Sequence, residues 1–200
     1  MKLRPGAAAS GILSDMPRVP PLETQELAAD VKAAGEAHVR EHGARLTNMK
    51  RTLLRSVPAF RALMEWYALR DTVQPVLGER LTTLFAHAIS TETDCLICST
   101  FFRRILIDWR EDPDHLALDD RDEAVVAFGR ALARSPHYVT DAVYAPLTQY
   151  FTEQQIVAIT AFGAIMVATN VFNNALAVPL DDELERYRRT PVSAAHQARQ

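Results

Sequence analysis

The stretch STETDCLIC, residues 90–98, contains both cysteines of the 200-residue chain. Serine, threonine and aspartate commonly cap helices, so the stretch predicts the end of one helix and the start of the next. With Asp94 or Thr91 as the N-cap, Cys95 and Cys98 would fall in the first turn of the second helix. Free N–H groups and the helix dipole lower a thiol pKa at that position, whereas the two neighbouring carboxylates oppose the shift.

Helical patterns continue on both sides of this junction, and the period-two alternation of strands is nearly absent. The sequence therefore predicts an all-α fold. The predicted helices span residues 24–42, 46–57, 58–69, 78–90, 94–109, 119–134, 140–150 and 152–176. A short echo between residues 54–58 and 132–136, which both end a helix near a proline, suggests two related helical halves.

Three segments follow from this pattern. Residues 1–22 are rich in proline, glycine and alanine and predict an extended N-terminal arm. Residues 23–182 predict a single all-helical domain, and residues 183–200 predict a flexible C-terminal tail. Thr152 and Gln155 have the spacing of a capping box at the start of the longest helix.

Composition narrows the function classes. The chain is 48% hydrophobic and 24% charged, as in ordinary globular proteins, and its net charge of −3 argues against a nucleic-acid partner. No secretory signal is recognisable, and the apolar run 156–172 is shorter than the roughly 20 residues of a membrane span. We therefore expect a cytoplasmic protein without a membrane partner. Reducing surroundings favour a redox-active or metal-binding CxxC over a structural disulfide.

The two cysteines favour thiol chemistry over simple packing. Cys98 shares a helical face with apolar residues and is expected to point inward, whereas Cys95, nearer the helix end, is expected to be more accessible. The alternative is that both are buried small hydrophobes. A closed zinc site needs four ligands, and the sequence offers neither a second CxxC nor a paired histidine motif. We therefore expect no metal and no other cofactor.

His87 is the third candidate site residue. It lies on the apolar segment 81–89, which ends just before the cysteine turn. Folded back toward the thiols, its imidazole could take a proton from a cysteine. The alternative is a core histidine that is hydrogen-bonded to the backbone, and the sequence does not decide between the two.

Several further segments occur in an order that resembles a known family. RVPPL opens the region at residues 18–22, and LRSVPAF follows at 54–60. The CxxC motif comes next. It is followed by the sequence DDR at a predicted helix start (119–121), by ARSP at a predicted helix end (133–136) and by FNNALAVPL (172–180). Over roughly residues 18–182 the chain resembles the carboxymuconolactone decarboxylase family, in its alkylhydroperoxidase D-like, peroxidase-related branch.

The resemblance implies an all-helical fold that assembles into a homo-oligomer, as a dimer, trimer or hexamer. It implies that two cysteines reduce hydroperoxides, assisted by a glutamate twelve residues before the first and a histidine four residues after the second. Here those positions hold Thr83 and Phe102. The proton relay is therefore altered, and His87, one helical turn after Thr83, is our candidate replacement.

The main hypothesis is a thiol-dependent oxidoreductase, a peroxidase-like antioxidant enzyme, that reduces hydroperoxides or disulfides with Cys95 and Cys98. A thiol reductant would be its partner. One alternative is a non-redox enzyme acting on small organic acids, for which Arg103 or Arg104 would face the site. Another is a catalytically weak redox sensor. The residues Asn170, Asn173 and Asn174 recur on an apolar helix and are expected to join helices or subunits.

Overall fold

The structure, a computed structural model, describes residues 16–23 and 27–189. Within these residues the chain forms nine α-helices and two short 3₁₀ helices, and no β-strand. The α-helices are α1 (Ala29–His42), α2 (Asn48–Leu53), α3 (Val57–Met64), α4 (Trp66–Leu77), α5 (Glu79–Glu92), α6 (Leu96–Asp108), α7 (Asp120–Ala133), α8 (Asp141–Tyr144) and α9 (Glu153–Leu176). The predicted all-α fold class is confirmed.

Local capping explains where several helices begin. The Thr152 hydroxyl accepts from Gln155 N–H and the Gln155 side chain accepts from Thr152 N–H, so the predicted capping box of α9 is present. The side chain of Asp119 caps α7 in the same way, by accepting from the N–H of Asp122. These polar side chains satisfy N–H groups that have no acceptor inside the helix.

Two predicted helices are divided in the structure. The single helix expected over 58–69 is interrupted at Glu65, which separates α3 from α4, and α4 then continues through Pro75 to Leu77. The helix expected over 140–150 narrows into a 3₁₀ helix at Ala145–Gln149, which has Pro146 in its first turn. After the break at Glu65, α4 packs against α9.

The core is centred on α5, which packs against α4, α6, α7 and α9. Phe85 of α5 is fully buried, and its ring lies against Gly129 of α7 and Gly163 of α9. A Cβ atom at Gly163 would come within 2.6 Å of Leu132 Cδ1, and one at Gly129 within 2.8 Å of the Phe85 ring. The two glycines therefore allow α7 and α9 to approach α5 closely.

Helix α9 is longer than the apolar run in the sequence indicated. It has 24 residues, and its most apolar 18-residue window has a mean hydropathy of 1.8. By length and composition alone it is therefore long and apolar enough to cross a membrane, and the expectation that it falls short was wrong. It packs against α4, α5 and α7 as a central helix of the bundle. Val157 and Val171 nevertheless remain exposed on its outer face.

Both ends of the described chain are attached to the bundle. Residues 16–23 have no regular helix, and Arg18 donates from its backbone to Leu176 O and from its guanidinium to Ala175 O. Asp182–Tyr187 forms a 3₁₀ helix that packs on α6 and buries Leu184. The expected flexible tail therefore does not begin at residue 183. The remainder of the predicted arm and tail, 1–15 and 190–200, lies outside the described residues.

Candidate active site

The cysteine pair lies at the junction of α5 and α6. Asp94 takes a left-handed backbone conformation (φ +51°), which aspartate tolerates better than most residues, and Cys95 N–H donates to Ser90 O. Cys95 itself is the N-cap of α6, rather than Asp94 or Thr91 as the sequence suggested. Cys98 follows one turn later, and both thiols are free.

The exposure of the two sulfurs is the reverse of the prediction. Cys95 is completely buried, whereas Cys98 is 8% exposed and lines a cavity. The N-cap position is the reason, because its extended backbone (φ −86°, ψ 104°) turns the Cys95 side chain back into the core instead of out along the helix. Cys98 is therefore the cysteine that borders a cavity.

The side-chain amide of Asn173 joins the two sulfurs. Its Nδ2 lies 3.3 Å from Cys98 Sγ, 3.8 Å from Cys95 Sγ and 3.5 Å from Met49 Sδ. The Asn173 side chain is buried, and its Oδ1 has no hydrogen-bond partner among the described residues. A sulfur with negative charge is the better acceptor, so this donor favours a thiolate.

The neighbouring asparagines hold the turn that carries the cysteines. Asn170 donates to the hydroxyl of Thr93 over 2.8 Å, and Asn174 donates to the backbone oxygen of Thr93 over 2.9 Å. The asparagines of α9 therefore attach this helix to the α5–α6 junction, as expected for residues that join helices. Their contacts here are within one chain.

The surroundings separate the two thiol pKa values. The pKa of Cys95 is lowered to about 7. The largest cause is the hydrogen bond that the Cys98 S–H donates to the Cys95 sulfur, and burial acts in the opposite direction. The N–H groups of Cys98 and Ile97 and the Asn173 amide lower it further. The same pairing and its burial raise the pKa of Cys98. Near neutral pH the pair therefore shares one proton, with the thiolate favoured on Cys95.

The cavity beside Cys98 is small and mainly apolar. Its volume is about 110 Å³. Its walls are formed by methionine, aromatic and aliphatic side chains together with a few polar groups. The lining residues are Thr47, Met49, Lys50, Leu63, Met64, Trp66, Tyr67, Ile97, Cys98, Phe101, Phe102, Met166, Thr169, Asp181 and Leu184. A cavity of this size accepts a molecule of a few heavy atoms, because a 150 Å³ apolar cavity holds one benzene.

Lys50 is the one lysine on the wall of this cavity. Its side chain is buried, and Nζ donates to Tyr67 Oη over 2.8 Å and to Arg45 O over 3.0 Å. Burial lowers the pKa of Lys50 to about 8, with Asp181 acting in the opposite direction. Burial likewise raises the pKa of Tyr67.

His87 belongs to α5 and lies beside a different part of α6 from the cavity that Cys98 lines. It lines a separate cavity of about 500 Å³ together with Ser99, Arg103, Asp114 and Arg130, and neither cysteine lines that cavity. Burial and, next, Arg103 lower the pKa of His87 to about 4. The structure thus brings Cys95 and Cys98 together but does not bring His87 to them, so its role as their base stays a prediction.

At the two positions where the resemblance implies a proton-relay glutamate and histidine, this chain has no base. Thr83 and Phe102 are both buried, and Phe102 forms part of the wall beside Cys98. Among residues 16–23 and 27–189, no histidine or carboxylate hydrogen-bonds to either sulfur. The same residues contain no group of three or more histidine, cysteine or acidic side chains placed to bind a metal.

The arginines considered for an acid-binding site do not reach the thiol cavity. Arg103 forms an ion pair with Asp114 at the other cavity, and Arg104 stacks over the Phe101 ring at 4.9 Å. Neither lines the cavity beside Cys98. Lys50 does line this cavity. The sequence does not indicate it as a site residue, because α2 has only six residues and shows no recognisable apolar face.

Comparison with solved structures identifies the architecture. The crystal structure of the debrominase Bmp8 superposes with a TM-score of 0.69 at 18% identity, covering 84% of this chain and 95% of that one. An alkylhydroperoxidase AhpD core, an uncharacterised peroxidase-related protein from Ralstonia eutropha JMP134, gives 0.63 at 20% identity, covering 83% and 94%.

The chain has an alkylhydroperoxidase D-like fold. This confirms the fold expected from the sequence resemblance. A further crystal structure, of a cysteine-to-alanine variant of Bmp8 in complex with 2,3,4-tribromopyrrole, gives a TM-score of 0.69 at 17% identity, covering 84% of this chain and 94% of that one. No protein-family model and no curated protein sequence matches the chain. At these identities the likeness concerns the fold, and the site must be interpreted from its own residues.

Proposed function

We propose that the chain is a thiol-dependent oxidoreductase that reduces small hydroperoxides through Cys95 and Cys98. The observation that carries the proposal is the shared amide donor of Asn173, which holds both sulfurs at the start of α6 while Cys98 faces a cavity. A thiol pair with separated pKa values in a cleft is typical of a reactive site. The alkylhydroperoxidase D-like fold supports the same chemistry.

The first step uses the proton that the pair shares. This proton passes from Cys98 to Cys95, which leaves a thiolate on Cys98 facing the cavity. That thiolate attacks one peroxide oxygen, an S–O bond forms, and the O–O bond breaks. The leaving alkoxide takes the proton from Cys95 and departs as an alcohol. Cys95 thus supplies the acid that the missing relay would provide.

The second step closes the disulfide. The Cys95 thiolate attacks Cys98 Sγ, the S–OH bond breaks, and hydroxide leaves. The hydroxide becomes water by taking up one proton from the buffer, which replaces the proton that the pair released when it ionised. The peroxide has then gained two electrons, and the dithiol has lost two. A low-molecular-weight dithiol or a protein thiol returns both electrons and regenerates the pair.

The test measures peroxide consumption in the presence of a dithiol reductant. The native chain should consume hydroperoxide and form the Cys95–Cys98 disulfide, whereas Cys98→Ser should be inert. Cys95→Ser should stop after one turnover with a sulfenic acid on Cys98, which dimedone traps. Equal inertness of the native chain and Cys98→Ser toward several hydroperoxides would overturn the proposal.

Halogenated aromatic compounds are a second substrate class, since two of the fold neighbours are structures of a debrominase, one in complex with 2,3,4-tribromopyrrole. Reductive removal of bromine also consumes two electrons, yielding bromide and a disulfide. Release of bromide from a bromopyrrole without consumption of peroxide would favour this activity. A disulfide that forms with peroxide but is barely turned over would instead favour the redox sensor.

A further inference from the structure

Among the described residues, Lys50 is a buried cation without a counter-ion. The residue is 6% exposed, and its ammonium donates to two neutral oxygens, Tyr67 Oη and Arg45 O. An ammonium has three N–H donors, so one is left without an acceptor among these contacts. In the part of the chain that the structure describes, no carboxylate lies within ion-pair distance of Nζ. Burial of an unpaired charge is costly, which is why buried charges are normally paired.

The nearest acidic group does not fill this role. Asp181 lines the same cavity, but its Oδ1 accepts from the backbone N–H of Asn48 over 2.8 Å. It influences Lys50 through space without forming an ion pair with it. The cavity thus has a nucleophile, Cys98, on one part of its wall and an uncompensated cation on another.

We propose that Lys50 binds the anionic group, a carboxylate or a comparable oxyanion, of a small substrate whose apolar part lies against the cavity wall near Cys98. The inference rests on the proposed function for the reaction at Cys98, and it adds the substrate class. Tyr67 holds the ammonium in place, and the methionine and aromatic walls accept the apolar part. A bound anion supplies both the missing counter-ion and the missing acceptor.

The volume limits the substrate further. About 110 Å³ accommodates a few heavy atoms, so a long fatty-acid hydroperoxide would not be enclosed. A short organic acid that carries the reducible group a few bonds from its carboxylate fits both requirements. The expected substrate is therefore a small reducible acid.

Two alkylating reagents test the anion site without any peroxide. Iodoacetate and iodoacetamide are of nearly equal size and differ by a carboxylate and an amide. Each forms a C–S bond with a thiolate and releases iodide. The rate ratio of the two reagents at Cys98, located by peptide mass analysis, is divided by the same ratio for a free small thiol. At pH 7 we expect the native chain to favour iodoacetate about tenfold or more, as for a charge-assisted hydrogen bond.

Lys50→Met should reduce the corrected ratio of iodoacetate to iodoacetamide rates to near one. The ratio cancels any change that the variant causes in the general reactivity of Cys98. The matched control is Lys32→Met on the exposed side of α1, which should retain the preference. A corrected ratio near one for the native chain, equal effects of the two variants, or failure of both reagents to reach Cys98 would overturn the anion site.

A pH series on the native chain gives a test that does not depend on folding of the variant. The titratable and charged groups that face Lys50 are His38, Arg45, Tyr67 and Asp181, and Cys98 lines the same cavity. Ionisation of Cys98 changes both alkylation rates and therefore cancels in their ratio. Between pH 7 and 9.5 His38 is already neutral and Tyr67 is still protonated, whereas Lys50 loses its proton near pH 8. The iodoacetate preference should therefore disappear over this range, and a preference unchanged at pH 9.5 would contradict the assignment.

The two proposals fail in distinguishable ways. A chain that consumes no peroxide but shows the Lys50-dependent preference has the anion site and lacks the peroxidase activity. A chain that consumes peroxide without the preference has the activity and lacks the anion site.

Discussion

Asn173 Nδ2 lies 3.3 Å from Cys98 Sγ, so the C-terminal part of α9 is connected directly to the first turn of α6. The same nitrogen lies 3.8 Å from Cys95 Sγ. One amide thus contacts both sulfurs of the proposed redox pair. Because the contact joins two helices that are distant in sequence, thiol reactivity depends on the packing of α9.

Asn173→Leu should raise the pKa of Cys95, because leucine has similar bulk and no N–H donor. At pH 7 the thiolate fraction, and with it the alkylation rate by iodoacetamide, should fall about threefold to tenfold. The matched control is Asn174→Leu, which removes an amide that bonds to Thr93 O and leaves the donor to the sulfurs. Similar pKa values for both variants would show that Asn173 has no electrostatic role.

The thiol pair should titrate with a first apparent pKa of about 7, well below that of an ordinary thiol. Thiolate absorbance near 240 nm during a pH titration measures it. Cys98→Ala should raise this pKa, because the S–H of Cys98 is the largest cause that lowers it. Ser99→Ala changes a neighbouring, partly exposed residue of the same turn and should leave the titration unchanged. A native first pKa near 9 would contradict the arrangement.

His87→Gln should alter the alkylation rate at pH 7 by less than about twofold. The imidazole lines the other cavity, and its pKa of about 4 keeps it neutral at this pH. Stopped-flow alkylation from pH 5 to 9 measures both the rate and its pH profile. A tenfold loss of rate with a raised thiol pKa would instead assign His87 to the relay, as the sequence-based hypothesis holds.

Acid should destabilise the protein through His38. Burial, followed by the charges of Lys50 and His42, lowers the pKa of His38 from 6.5 to about 4. Its Nε2 is buried and has no hydrogen-bond partner among the residues that the structure describes. The unfolded chain takes up this proton below pH 6.5 while the folded chain does not. The stability present above pH 6.5 is therefore lost as pH falls toward 4, by up to about 1.4 kcal/mol per pH unit.

Urea unfolding of the native chain and of His38→Phe at pH 7 and 5 measures the contribution of His38 to the free energy of unfolding. Phenylalanine keeps the ring contacts with Phe60 and Tyr67 and cannot be protonated. The variant should lose less stability at pH 5 than the native chain. His115→Phe, at an exposed position, should show the native pH dependence. Equal losses in the native chain and His38→Phe would exclude the contribution of His38.

Gly163→Ala should destabilise the fold by about 1–3 kcal/mol, although alanine is the better helix former. The added methyl group would collide with Leu132 Cδ1 and press on the Phe85 ring in the core. Gly35→Ala is the matched comparison, since its Cβ would approach leucine methyl groups no closer than 3.1 Å and would not press on a buried aromatic ring. Thermal unfolding of both variants checks the difference, and a stabilised Gly163→Ala would refute the close packing.

The sequence predicted the helical class and the position of the cysteines because both depend on local signals. Thr152 and Gln155 mark the start of α9 through side chains only three residues apart, and the junction before Cys95 is rich in capping residues. The spacing of Asn170, Asn173 and Asn174 also predicted residues that join helices. Periodicity and capping operate within one or two turns and can therefore be recognised without the tertiary structure.

Side-chain environment was harder to predict. Cys95 was expected to be the accessible thiol, but its N-cap backbone turns it inward. His87 lies one turn before the junction, yet the crossing of α5 and α6 directs it to a different cavity. Lys50 lies in a helix of six residues, too short for an apolar face to be recognised. These properties depend on how helices cross, and the spacing of residues along the chain does not contain that information.

The attachment of residues 16–23 has a practical consequence for work with the recombinant protein. Arg18 holds the last carbonyl groups of α9, a single turn beyond Asn173, and Leu184 near the other end of the chain forms part of the cavity wall. Truncations that remove residues 16–23 or 182–187 would therefore remove contacts made close to the thiols. Kinetic comparisons should use tag-free protein with identical ends, since the choice of boundaries is itself a variable of the assay.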